Sequence, residues 1–139
     1  AILAALLLLG YVAVCRADPV VQVRQSKSVK ICTPLGCTTR TETSVWSGTI
    51  IGRLNDMRLI VLTCGHQFDG NRPVVIQIDA KRKADGKFLA LDKVNDLGLI
   101  VTPNAGDVKI YRVAKRVPPV GTRLIAMGIP GASNRETTR

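Results

Sequence analysis

From Val20 onward the apolar residues come in short β-branched runs separated by turn residues, and no segment keeps a helical period. Val20–Val23 and Val29–Cys32 read as strands. Val45–Leu54 and Arg58–Thr63 flank Asn55-Asp56 and read as a hairpin. Val74–Ile78 and Lys87–Leu91 flank a basic turn containing Asp85-Gly86 and read as a second hairpin. Leu97–Val101 is a further strand, Val117–Gly121 a connector, and Thr122–Met127 one more strand. This pattern predicts an all-β barrel or sandwich. Only five residues are aromatic (one Trp, two Tyr, two Phe), so the core must rest on Val, Ile and Leu. A hydrophobic fraction of 46% against 22% charged residues excludes a disordered tail.

The first 15 residues, Ala1 to Cys15, are apolar without a break, which is short of the roughly 20 needed to cross a bilayer. Cys15-Arg16-Ala17 follows as a small-x-small site, with Asp18-Pro19 behind it. Residues 1–17 therefore read as a secretory signal peptide that has lost its start, and the protein as secreted, periplasmic or of the cell envelope. A membrane tether through this segment is the rival reading. In an oxidising compartment Cys32 and Cys37, which enclose Thr33-Pro34-Leu35-Gly36, are candidates for a small disulfide loop. Cys64 is left odd, either free or paired downstream. A zinc site lacks the paired close spacings that structural zinc motifs show, and the chain has a single His, so no metal is expected.

That lone His stands in Leu59-Ile60-Val61-Leu62-Thr63-Cys64-Gly65-His66, just past the end of an apolar strand. Thirty residues on, Asp96 stands at the mouth of the strand that begins at Leu97. A carboxylate so placed can fix the tautomer of an imidazole and stabilise its charged form, as a general base requires. On spacing alone, a packed or surface His and an ordinary turn Asp explain the same residues. If the two side chains lie on opposite faces, the catalytic reading fails.

Four segments, in order, resemble the trypsin-like (chymotrypsin-fold) serine peptidases. They are Trp46-Ser47-Gly48-Thr49-Ile50-Ile51, Leu62-Thr63-Cys64-Gly65-His66, Asn95-Asp96-Leu97-Gly98-Leu99-Ile100, and Val120-Gly121 followed by Leu124 to Gly131. The resemblance implies a chymotrypsin-like double β-barrel of which the first barrel and only the start of the second are present. It places a first barrel at 18–117 and the start of a second at 118–139. It implies an exported serine endopeptidase acting on peptide or protein substrates, with His66 as general base, Asp96 as its orienting acid and no cofactor. The sequence departs from the family at Cys64, Gln67 and Gly98, and it contains no Gly-Asp-Ser-Gly-like loop. Neither Ser47 nor Ser133 is assigned the nucleophile's role, so a nucleophile would have to follow Arg139. A pseudopeptidase, or a secreted basic β-domain with a binding role, is the alternative.

The net charge is +10, and +9 without residues 1–17, which hold one arginine and no acid. Lys81-Arg82-Lys83 and Lys87 cluster at the predicted second hairpin; Lys109, Arg112, Lys115 and Arg116 lie further on. No aromatic residues interleave with them, so nucleic acid is not an expected partner. Solvation is the stronger reading of the charge, with attraction to anionic surfaces or acidic substrate segments behind it. Oligomeric state leaves no mark in the sequence. The 139-residue polypeptide is expected to be catalytically silent. Peptide hydrolysis by the purified chain, abolished by His66→Ala, would overturn that expectation.

Overall fold

The computed structural model describes residues 19–68 and 72–129, and the backbone alone of 136–138. Residues 1–17, expected to be a signal peptide, and Ser133 lie outside the described residues. Among the described residues, eight strands run in chain order: β1 (Val20–Thr33), β2 (Gly36–Arg53), β3 (Leu59–Cys64), β4 (Val74–Gln77), β5 (Lys83–Asp92), β6 (Leu97–Thr102), β7 (Ala126–Gly128) and β8 (Glu136–Thr138). The first six close an antiparallel barrel in the order β1-β2-β3-β6-β5-β4, and β7 pairs with β8. There is no helix among the described residues. The fold is all-β, as the run pattern predicts.

Period-two alternation fills the barrel. Val21 and Val23 of β1, Trp46 and Ile50 of β2, Leu59 and Val61 of β3, Val74 and Ile76 of β4, and Ile100 of β6 point inward and are buried. Aliphatic residues dominate this core, with Trp46 the one ring among its buried residues. The loop after β6 caps one end of the barrel: Val108 joins the core, and Tyr111 N–H donates to Ile50 C=O at 3.0 Å, where β2 bulges between Ile50 and Gly52. Two arginines hold that loop down. Arg82 donates to Ala105 C=O (2.8 Å) and Asp107 C=O (3.1 Å), and Arg53 to Asn104 Oδ1 (3.0 Å) and Gly106 C=O (3.3 Å). Arg82 is thus a structural cation, not one of the solvated charges that composition suggests.

Three local expectations need correction. Val20–Val23 and Val29–Cys32 belong to one 14-residue strand, because the chain turns only at Pro34-Leu35. Beyond the Gln25–Ser44 pair, β1 and β2 leave the barrel as a two-stranded arm that begins at Ser26 and Thr43. Second, Asp85-Gly86 is not a turn. The turn is made by Asp79, whose carboxylate accepts the N–H groups of Lys81 (2.9 Å) and Arg82 (2.8 Å), a local bond that favours turning. Gly86 lies inside β5 opposite Val74, and a Cβ there would sit 2.6 Å from Ile100 Cγ2. Its glycine therefore serves close packing across the barrel, not chain reversal. Third, of the expected 122–127 strand only Ala126 and Met127 lie in a strand, β7. From Val113 to Ile125 the chain is irregular, with Val117 and Val120 exposed.

Gly86→Ala is expected to cost about 1–3 kcal/mol by overpacking, and Ile100→Ala about 2–5 kcal/mol by leaving a cavity. Urea unfolding checks both as lowered midpoints with an unchanged slope.

Candidate functional site

The antiparallel pairing of β3 with β6 sets Cys64 opposite Leu97. The residues just after β3 and just before β6 therefore emerge side by side on one rim of the barrel. After β3 the chain makes a tight turn, Phe68 N–H donating to Gly65 C=O at 3.2 Å, and Phe68 stacks on Phe88 of β5 with ring centroids 4.7 Å apart. This turn presents His66.

Asp96 arrives from the other side on the β5–β6 loop, which is shaped by Asp92. The Asp92 carboxylate accepts the backbone N–H of Val94 (3.0 Å) and of Asn95 (3.1 Å) and the Asn95 side-chain amide (2.6 Å). These bonds, the Asn95 amide first, hold the Asp92 carboxyl below its usual range. Asp96 itself adopts φ +56°, a left-handed conformation that Asp tolerates better than most residues.

Three hydrogen bonds join the two segments. Gly65 N–H donates to Asp96 C=O (2.9 Å), His66 N–H to Asp96 Oδ1 (2.6 Å), and His66 Nδ1–H to Asp96 Oδ2 (2.6 Å). Gly65 has to be glycine here. A Cβ would lie 2.7 Å from Leu91 Cδ1 and 3.3 Å from Asp96 Oδ1. Gly98 has no such restriction, since a Cβ there would meet Thr63 Cγ2 at an ordinary 3.5 Å.

The His66 side chain, then its backbone N–H, lowers the Asp96 pKa from its ordinary 3.8. A carboxylate so held only accepts, which puts the proton of the neutral imidazole on Nδ1 and the lone pair on Nε2. The Gln67 side-chain amide donates to that lone pair at 3.3 Å. His66 and Asp96 are 63% and 49% exposed, so the pair is open to a ligand. A cleft of about 310 Å³ beside it is lined by Gly65, His66, Phe68, Leu91, Lys93 and Asp96. Chemically this is an imidazole with a fixed tautomer beside a cleft, whose Nε2 lone pair can take a proton from a hydroxyl or a water.

The structure brings His66 and Asp96 together and joins Cys32 to Cys37 by a disulfide at the arm's tip, across facing positions of β1 and β2. Cys64 is a half-buried free thiol packed against the core. Ser47 is occupied elsewhere: its hydroxyl accepts Ile129 N–H (2.6 Å) and donates to Ile129 C=O (3.0 Å). Among the described residues no three of His, Cys, Asp and Glu are grouped to hold a metal ion. Sequence reasoning missed Asp92 and Gln67. Asp92, three residues before Asn95, carries an Asx-turn signal that could have been read, whereas the Gln67 contact has none. No protein-family model matches the chain, and no curated protein matches it.

Two outcomes follow. Asp96→Asn can turn its amide toward Nδ1 as a donor, so nitrogen NMR of the neutral imidazole should show the proton moving to Nε2. In the unsubstituted protein Asp96 should titrate below 3.8 by carbon NMR and return toward the ordinary value in His66→Ala. Because the folded value is the depressed one, whatever stability the pair contributes is present above the ordinary value and lost as pH falls through the lowered one.

Proposed function

We propose that this barrel is the first lobe of an exported serine endopeptidase of the trypsin-like type, with His66 as general base and Asp96 as the acid that orients it. The observation that carries the reading is the Nδ1–Oδ2 hydrogen bond of 2.6 Å on the barrel rim, which leaves Nε2 as the proton acceptor. A closed six-strand antiparallel barrel is compatible with the chymotrypsin-like architecture. The exposed apolar side chains Val117, Val120, Leu124 and Ile125 support the view that the segment after the barrel enters a second lobe that would cover them.

In this reading the nucleophilic serine and the backbone donors for the oxyanion come from chain that follows Arg139. The serine approaches Nε2 and displaces the Gln67 amide. His66 then takes the hydroxyl proton as the oxygen attacks the scissile carbonyl, and returns it to the leaving amine. Asp96 stays ionised throughout and stabilises the imidazolium. The export signal expected at 1–17 and a disulfide-permissive compartment fit the same reading, since the Cys32–Cys37 bond needs oxidising conditions to persist.

The test is hydrolysis of a labelled protein substrate by the complete gene product. Activity that falls about ten-thousandfold in Asp96→Asn, and at least as far in His66→Ala, is the expected result. A complete product with no serine in reach of His66 would make the lobe part of a pseudopeptidase. Hydrolysis unaffected by His66→Ala would remove the proposed base.

A further inference from the structure

The outer face of β1, β4 and β5 carries a groove remote from the His66 cleft in its lining residues. Two adjoining hollows of about 400 and 350 Å³ share Arg24 and Lys83 in their walls. Strand register explains the arrangement. Gln22, Gln77 and Lys83 face one another in one row across the three strands, and Arg24, Val75 and Asp85 in the next. Side chains in such rows share a face, and here it is the face opposite Val23 and Ile76, so these residues point outward.

Both cations are available. Arg24 donates its Nε–H to Gln22 Oε1 at 2.5 Å, and its other guanidinium nitrogens and the Lys83 ammonium meet no carboxylate among the described residues. The nearby Asp79 is engaged by Arg82 (2.7 Å) and by two backbone N–H groups. Asp85 points outward between Lys83 and Lys87, two residues away on either side, so the face stays net positive. Val75 and Pro73 add an apolar floor. The groove opens toward Ser26, past the last pairing of β1 with β4 at Gln25–Val74. Beyond that point no described strand pairs the outer edge of β1, so backbone N–H and C=O groups are open to an added strand.

We propose that this groove docks an extended acidic peptide segment, with carboxylates on Arg24 and Lys83 and small apolar side chains against Val75 and Pro73. Several observations select that occupant. A second copy of this chain would bring like charges together, because the arm carries Lys27, Lys30 and Arg40 against Glu42 alone. Glu42 is already paired with Arg40 at 2.6 Å and Lys27 at 3.6 Å. Nucleic acid would look for aromatic rings to stack on, and neither hollow has one in its lining. The proposal does not depend on the peptidase reading.

The experiment uses the 139-residue protein and a dye-labelled peptide of alternating glutamate and valine, about eight residues long, with binding read by fluorescence anisotropy. Saturable binding should weaken about tenfold or more in Arg24→Gln/Lys83→Gln and by less than about twofold in Lys115→Gln/Arg116→Gln. The second variant removes the same charge from the irregular connector. Unchanged circular dichroism and thermal midpoint show that both variants fold. Equal weakening in the two variants would reduce the effect to net charge and overturn the proposal. So would absence of saturable binding, or tighter binding of a single-stranded oligonucleotide of equal charge.

Discussion

The antiparallel pairing of β3 with β6 is the contact on which both the barrel and its rim depend. These two strands are distant in sequence and join the β1-β2-β3 meander to the β6-β5-β4 meander. Closing the barrel through them leaves no edge on either strand. The same pairing brings the loop that leaves β3 against the loop that enters β6. His66 and Asp96 therefore meet because the sheet closes, and the three hydrogen bonds between their segments lie at the margin of the closing ladder. A site built on strand ends inherits the rigidity of the strands.

Around that contact the loops are shaped by local bonds and not by burial. Asp92 folds the approach to Asp96, Asp79 folds the β4–β5 turn, and Asp56 accepts the N–H of Arg58 after the β2–β3 turn. Each carboxylate is held below its usual range by hydrogen bonds. Short polar side chains that bond their own backbone are what make such tight connections between the strands possible. Arginine complements them at longer range. Arg53 and Arg82 reach from the barrel to loop carbonyls that no strand pairs, and so close the end of the core.

Much of this was legible in the sequence, and the boundary has physical causes. Short apolar runs bounded by turn residues were readable, so Leu59 to Thr63, Val74 to Ile76 and Leu97 to Val101 stood out as strands, while which face each buries came only with the barrel. The His66 and Asp96 pair could be named because each abuts an apolar run. The arm was harder: from Ser26 to Ser44 both faces are largely exposed, so no burial imprints a period, and pairing is carried by backbone and by hydroxyl contacts such as Ser26 with Thr43. Gly86 misled because glycine signals a turn and a close approach alike, and only the position of Ile100 distinguishes them. The roles of Arg82 and Gln67 depend on what lies across space, which spacing along the chain does not encode.

The bond between Ser47 and Ile129 has a consequence for the joint after the barrel. The hydroxyl both gives and takes a hydrogen bond with the same residue, and it does so through that residue's amide and carbonyl. Such a clasp reads main chain and is blind to the side chain it holds. Residue identity at position 129 is free to drift as far as this bond is concerned, while the path of the chain is not. Thr63, three residues before His66, grips the Ser47 carbonyl at 2.8 Å from the other side. The path of the chain at Ile129 is thereby indexed to β3, the strand that leads into the His66 turn, a positional datum passed along main chain without any side-chain code.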